Sequence, residues 1–470
     1  MLAQADSVPV GQATPIDVLH NDVLLEIFDF HVSGDTWQSL VHVCRRWRSL
    51  VFGSPRRLNL ELICMARTPV RESLDIWPAL PLSVEGTIDS GSTPVDNIVA
   101  ALGHRDRVRR IHFDGVIWGS QWDEVLAAMQ APFPALTHLQ ILLQWHYETA
   151  PVIPDTFLGG SAPRLQYLNM HGTPFPGITN LLLSPTHLVN FYLNDIALSG
   201  YISPEAMATC LSMLTSLKTL SLSFDLQDPQ PRRHPPPMTR SILPGLTTFW
   251  FEGDSEYLDD LVARIDAPRL HHLFITFFLV QLNLDTPYLV QFISRTPRFQ
   301  EPNEAHVTLD VNADVELLWP SDARPRVRVA ISQEGSEADP ECSTIAQLCA
   351  MCLPPLPTVE NLQLDVFTEY DVENEQWLEL LRPFTAVKSL YLSKVSAPGV
   401  AAALQELIGS RITEVLPSLQ NIFVEGLEPS GPLRENIGRF VIARQLSDRP
   451  IAICDWHKLQ LTTINGNRRC

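Results

Sequence analysis

Few residues in this chain are placed to make or break bonds. Cys349-Ala-Met-Cys352 has C-x-x-C spacing, with Cys342 close before it. Zinc needs a fourth ligand in step, and no second C-x-x-C or spaced histidine pair supplies one. The apolar neighbours Ile345, Leu348, Met351 and Leu353 make these cysteines core residues of a helix. His271-His272 is expected at polar positions of a strand. The phosphate-cradling, dinucleotide, nucleophile-elbow and H-E-x-x-H patterns are all absent. No catalytic residue, metal ligand or cofactor is therefore expected, and the chain is read as non-catalytic. A redox or hydrolytic alternative would have to centre on Cys349.

Recognition is the chemistry that the spacing does suggest. The stretch Leu214–Phe224, L-T-S-L-K-T-L-S-L-S-F, holds apolar residues at Leu217, Leu220 and Leu222. The same first, fourth and sixth places recur at Val108, Leu136, Leu165, Leu188, Leu246 and Leu270, and again at Val359, Val387 and Leu419. Outside one long gap the steps are 23 to 32 residues, near the unit length of a leucine-rich repeat. Each copy is too short to bury its own apolar edge, so neighbours must stack. In a strand, the residue between the second and third apolar places points away from the core. That slot reads His112, Gln140, Asn169, Tyr192, Ser221, Trp250, Phe274, Gln363, Tyr391 and Phe423. Half are aromatic, in a chain with 8% aromatic residues overall. Exposed rings on a rigid sheet favour binding, so Tyr192, Trp250, Phe274, Tyr391 and Phe423 are the candidate target-binding residues. Asn190, Asn194, Thr248, Glu252, His272 and Thr276 form a polar rim around them. Arg110, Arg269 and Arg326 are too scattered for a phosphate pocket.

Several elements must position that face. Helical patterns precede most strands, as at Trp122/Val125/Leu126/Met129, Met207/Leu211/Leu214 and Leu258/Leu261/Ile265. Ser203-Pro204 and Thr286-Pro287 look like helix starts. Pro134, Pro163, Pro185, Pro244, Pro268, Pro357 and Pro417 stand just before apolar frames and mark turns. Alternating helix and strand implies a parallel sheet with right-handed crossovers. Between 270 and 359, His306–Val311 and Arg326–Ile331 alternate apolar and polar and read as degenerate strands. Asp228–Pro237 and Gln333–Glu341 read as loops. A helix near Leu433–Leu446 and a strand at Ile451–Cys454 close the array.

Upstream, Leu19, Val23, Leu24, Ile27 and Phe28 follow a helical period, with Asn21 or Asp22 as cap. Trp37, Leu40, Val41, Val43, Cys44, Trp47, Leu50 and Val51 make a second helical face. So short a pair cannot bury that much apolar surface alone. A linker strand over Leu58–Ile63, a helix near Val70–Ile76 and a strand at Leu82–Val84 follow.

Residues 16–56 resemble the F-box, through Leu19, Glu26, Ile27, Phe28, Leu40, Val43, Cys44, Trp47 and Arg48. His20 stands where that family usually has proline. The stretch from Arg67 to Pro81 looks like the expanded F-box families of mushroom-forming fungi. The resemblance implies an α/β fold: F-box helices followed by a leucine-rich-repeat-like solenoid with a curved parallel sheet and outer helices. Its expected segments are a tail over 1–15, the F-box over 16–56, a linker leading into the array over 57–100, and the array with its C-terminal cap over 101–470. The implied function is substrate recognition in a Skp–cullin–F-box ubiquitin ligase. Leu19, Val23, Leu24, Ile27, Phe28, Leu40, Val43 and Trp47 would bind the Skp-type adaptor of the cullin core, and the repeat surface would hold an unidentified protein target. A repeat-based scaffold outside any ligase is the alternative.

The net charge of −19 argues against nucleic acid and anionic membranes as partners. Met1–Thr14 has no basic segment followed by an apolar run, and Leu273–Val280 is too short to span a bilayer. With scattered cysteines and no Asn-x-Ser/Thr sequon, these features predict an intracellular protein, cytoplasmic or nuclear.

Overall fold

The computed structural model describes residues 16, 18–31, 36–67, 69–87, 95–116, 120–144, 152–184, 187–197, 200–225, 239–278, 284–310, 313–320, 325–332, 342–353, 356–367, 372–407, 409–428 and 431–456. The expected tail over 1–15 and the loops Asp228–Pro237 and Gln333–Glu341 lie outside them. Two compact units result, one reaching Gln144 and including 157–159, the other holding the remainder.

The first unit opens with helices α1 (Asn21–His31), α2 (Trp37–Val43) and α3 (Arg45–Gly53). The expected single helix from Trp37 to Val51 is broken at Cys44, whose backbone is extended and whose sulfur accepts from the Trp47 N–H. That break turns Trp47 toward α1, where its ring meets Phe28 at 4.7 Å. The unit continues with β1 (Leu62–Met65), α4 (Val70–Ile76), β2 (Leu82–Thr87), α5 (Asp96–Leu102), β3 (Val108–Val116), α6 (Ser120–Ala128) and β4 (His138–Gln144). Strands β1 to β4 pair in parallel in chain order. The linker strand begins at Leu62, later than expected, because residues 55–59 form turns with Asn59 at positive φ. Trp37 ties the helices to this sheet: it is fully buried, donates from Nε1 to the Glu61 carbonyl at 2.8 Å, and meets Trp77 edge-on at 5.2 Å.

The second unit repeats strand and helix: β5 (Tyr167–His171), α7 (Ile178–Leu182), β6 (Asn190–Ala197), α8 (Pro204–Met213), β7 (Thr219–Asp225), a short β8 (Ser241–Ile242), β9 (Thr248–Gly253), α9 (Ser255–Arg264), a short β10 (Ile265–Asp266), β11 (His272–Phe278) and α10 (Pro287–Arg295). Then come β12 (Glu304–Leu309), β13 (Ala313–Leu318), β14 (Arg326–Ser332), α11 (Cys342–Cys352), β15 (Asn361–Val366), α12 (Asn374–Leu381), β16 (Ser389–Leu392), α13 (Ser396–Gln405), β17 (Asn421–Glu425), α14 (Pro432–Leu446) and β18 (Ala452–Trp456). Its main sheet runs β5-β6-β7-β9-β11-β14-β13-β12-β15-β16-β17-β18. Each helix from α7 to α14 packs against the next. This is the leucine-rich-repeat arrangement, an α/β fold dominated by parallel strands.

Every residue of the ten apolar triads is buried, and their strands align triad to triad: Phe191 pairs with Leu220, Leu220 with Phe249, and Phe249 with Leu273. Proline sets the approach to six of these strands. Leu165, Leu246, Leu270, Val359 and Leu419 donate their N–H to the carbonyl three residues back, closing turns with Pro163, Pro244, Pro268, Pro357 and Pro417 second. Leu136 and Pro134 do the same in the first unit. A fixed φ near −65° suits that second position.

The sheet departs from the expected all-parallel form at one place. The strands expected at His306–Val311 and Arg326–Ile331 exist as β12 and β14, but β13 lies antiparallel between them. The chain passes from α10 to β12, returns along β13, and inserts β14 beside β11. Connections too short for a helical crossover force antiparallel pairing here.

Between repeats, polar side chains clamp helix ends. Ser203 caps α8 as expected, accepting from the Ala206 N–H at 3.2 Å. Thr286 does not cap α10, because its hydroxyl lies 3.3 Å from the Cys352 sulfur. Asp259 on α9 takes over, accepting from the N–H groups of Tyr288 and Leu289 at 2.9 and 2.8 Å. In return Arg295 on α10 donates to the carbonyls of Val262 and Ile265 at 2.7 Å each.

Candidate functional site

Two surfaces gather the candidate residues, one in each unit. In the first, burial divides the eight expected adaptor-facing residues. Leu24, Phe28 and Leu40 are buried and so are corrected from docking residues to core: the cluster needs an interior, and these side chains supply it. Leu19 and Trp47 are half-buried. Val23, Ile27 and Val43 are exposed, at 45%, 47% and 59%.

Phe30 joins them at 92% exposure. Val23, Ile27 and Phe30 stand at i, i+4 and i+7, so they form one stripe along α1 opposite its buried side. The helical period of Leu19 to Phe28, carried two residues further, marks Phe30. The start of α1 is held by Arg46, which donates to the Asn21 side chain at 3.1 and 2.8 Å and to the Leu19 carbonyl. Asn21 is thus not the expected cap. His20 Nδ1 instead accepts from the Asp22 N–H at 3.4 Å, a weak cap.

In the second unit the pleat sorts β9 cleanly: Phe249 and Phe251 are buried, while Trp250 between them is 46% exposed. Register places Trp250 beside Phe274, and the rings stack with centroids 3.9 Å apart and planes 19° from parallel. His272, two residues along β11, lies nearly parallel to Phe274 with ring centroids 6.1 Å apart. Burial, then His271 and Arg326, push the His272 imidazole below its usual range. Tyr192 pairs instead with Tyr167 at 5.6 Å, and burial raises its phenol.

Tyr391 is the exception among the five rings. It is buried, stacked on Phe423 at 4.5 Å and met edge-on by Trp456 at 5.5 Å. The C-terminal strand β18 covers it, so Tyr391 is corrected from a binding residue to an internal contact, and Phe423 is left half-buried. No local signal marks this, because the covering Trp456 lies far along the chain.

A groove of about 270 Å³ follows the Trp250–Phe274 shelf. Its polar lining includes Asn194, Ser221, Ser223, Glu252, Thr276 and Arg328. Of these, Asn194, Glu252 and Thr276 were expected as rim, and Arg328 was missed because β14 lacks a leading leucine. Ser221 donates to the Asn194 side chain at 2.8 Å. Arg328 is held by Asp314 and Arg326 by Glu316, at 2.9 Å each. Burial outweighs the Arg328 pairing and raises the Asp314 carboxyl.

The cysteines contribute core. Cys342, Cys349 and Cys352 are buried on α11, and burial raises all three thiols, Cys342 to about 12. Among the described residues no helix is long and apolar enough to cross a membrane.

No known family pattern matches this chain, and no curated protein matches it in sequence. Among solved structures it is similar to the leucine-rich repeat-containing protein LegL7 from Legionella pneumophila, at 12% identity over 81% of this chain and 97% of that one, with a TM-score of 0.27. The repeat fold is shown by this chain's own strand order and triad register.

Proposed function

We propose that the chain is a substrate-recognition subunit of a Skp–cullin–F-box ubiquitin ligase. The observation that carries this reading is the exposed Val23–Ile27–Phe30 stripe on a helical cluster whose own core is already filled by Leu24, Phe28 and Leu40. Apolar side chains at that spacing, left in water, suit a helical or grooved partner, and the F-box pattern around them names a Skp-type adaptor. The repeat face with Trp250 and Phe274 would hold the target protein. In this reading the chain makes no bond itself: it raises the target's effective concentration beside the ubiquitin-carrying subunit, in cytoplasm or nucleus.

A repeat-based interaction scaffold outside any ligase needs only the second surface, which the Trp250 groove favours by itself. Affinity capture of the full-length chain from its own cells, beside an Ile27→Asp/Phe30→Asp variant, separates the two. The ligase reading expects a Skp-type adaptor with the wild type and its loss with the variant. Capture without adaptor, or adaptor retained equally by the variant, overturns it and leaves the scaffold.

A further inference from the structure

We infer that the chain is spared the ubiquitin transfer it directs: arginine stands where lysine would serve as well, which withholds acceptor amines from its own surface. The inference rests on the ligase reading and names a regulation of that assembly. Two observations and one reaction carry it.

Lysine is scarce and absent before residue 218. Of the 34 Lys and Arg residues, four are lysine, at Lys218, Lys388, Lys394 and Lys458, and the other 30 are arginine. Lysine otherwise ranks among the commonest residues of globular domains. The first unit carries eleven arginines and no lysine, so the part read as holding the adaptor offers no side-chain amine. Among the described lysines, Lys388 is paired with Glu360. Lys218, just before β7, and Lys394, just after β16, are exposed.

Bonding does not account for the choice. Some arginines use their fork: Arg295 and Arg444 each reach two backbone carbonyls, a task that the single nitrogen of lysine matches poorly. Arg71, Arg105, Arg164, Arg298, Arg434 and Arg439 have no such task. Each is exposed, and none makes a side-chain hydrogen bond or ion pair among the described residues. Arg71 lies on α4, and Arg434 and Arg439 lie on α14, where lysine forms helix about as well. Either cation would keep these positions in water.

The reaction separates the two cations. A neutral lysine Nζ attacks the thioester carbonyl that joins ubiquitin to the cysteine of its carrier. An isopeptide bond forms, the C–S bond breaks, and the departing thiolate takes up the proton that the amine releases. A guanidinium stays charged at neutral pH and has no lone pair for this attack. Held beside the carrier for as long as the assembly lasts, the chain's own amines would outcompete those of a target that comes and goes.

The test takes the full-length chain, captured from its own cells with its adaptor and cullin core, and supplies ubiquitin, its activating enzyme, a carrier enzyme and ATP. Beside it runs a variant with Arg164→Lys, Arg298→Lys, Arg434→Lys and Arg439→Lys. An equal thermal melt and equal adaptor capture show that the variant keeps its fold and its assembly. The expected result is several-fold more ubiquitin on the variant, mapped by mass spectrometry to the new lysines. Equal modification of the two chains, whether strong or absent, overturns the inference and leaves the ligase reading standing. Capture without a Skp-type adaptor overturns the ligase reading, and the inference falls with it.

Discussion

The ring of Phe28 lies 4.7 Å from that of Trp47, tilted by 59°, and this contact joins α1 to α3. Both residues belong to the pattern that suggested an adaptor surface, yet Phe28 is fully buried. Phe28→Ala should cost stability, about 3–5 kcal/mol by loss of a buried aromatic ring. Urea denaturation followed by tryptophan fluorescence measures it; a midpoint equal to wild type would show that Phe28 is not core. Binding lost in this variant reports unfolding of the helical cluster as readily as a missing contact.

The stripe on α1 behaves in the opposite way. Phe30→Ala removes a ring that touches water, so its stability should stay within about 0.5 kcal/mol of wild type. If the stripe is an anchor, adaptor affinity should fall by about 2 kcal/mol, roughly 30-fold. Isothermal titration with purified adaptor gives the number, and an unchanged affinity removes Phe30 from the interface.

Asp259 is tied to two N–H groups at the start of α10, and its loss leaves those donors unsatisfied. Asp259→Ala should destabilise the second unit by about 1–3 kcal/mol. Asp259→Asn keeps an acceptor oxygen and should cost less. Equal losses for the two variants in chemical denaturation would show that the side chain acts through its charge alone.

His272 makes stability depend on pH. Burial, followed by His271 and Arg326, lowers its pKa in the fold, while the unfolded chain titrates near 6.5. As pH falls through about 6.5 the unfolded state takes up the proton first, so stability declines until the lowered folded pKa is passed. Above about 6.5 the contribution is fully present. His138 acts in the same direction, lowered by burial and by Arg110 and Arg109. Denaturation midpoints on either side of this window should differ less in His272→Gln than in wild type. An equal difference in both proteins would exclude His272 as a source.

The repeat core was legible residue by residue. A triad such as Leu217/Leu220/Leu222 carries its own burial pattern, because pleat and turn are local and Pro244 or Pro268 closes the approach to a strand without distant help. The adaptor-like stripe was legible only in part. Val23 and Ile27 obey a local period, but that period alone does not say which side of α1 faces Trp47 and which faces water.

What the sequence determined by itself is the repeat: its spacing, its buried triads, the strands and most of the helices between them, all consequences of backbone periodicity and of proline's fixed φ. What only the tertiary structure decided is the fate of each outward ring and each clamp. Tyr391 and Trp250 occupy the same slot in the pattern, yet Trp456, brought in by β18, covers one, while the described residues leave the other 46% exposed. Asp259 replaced Thr286 as the cap of α10 for the same reason. Contacts between residues distant in sequence are set by how repeats stack, and no local period encodes them.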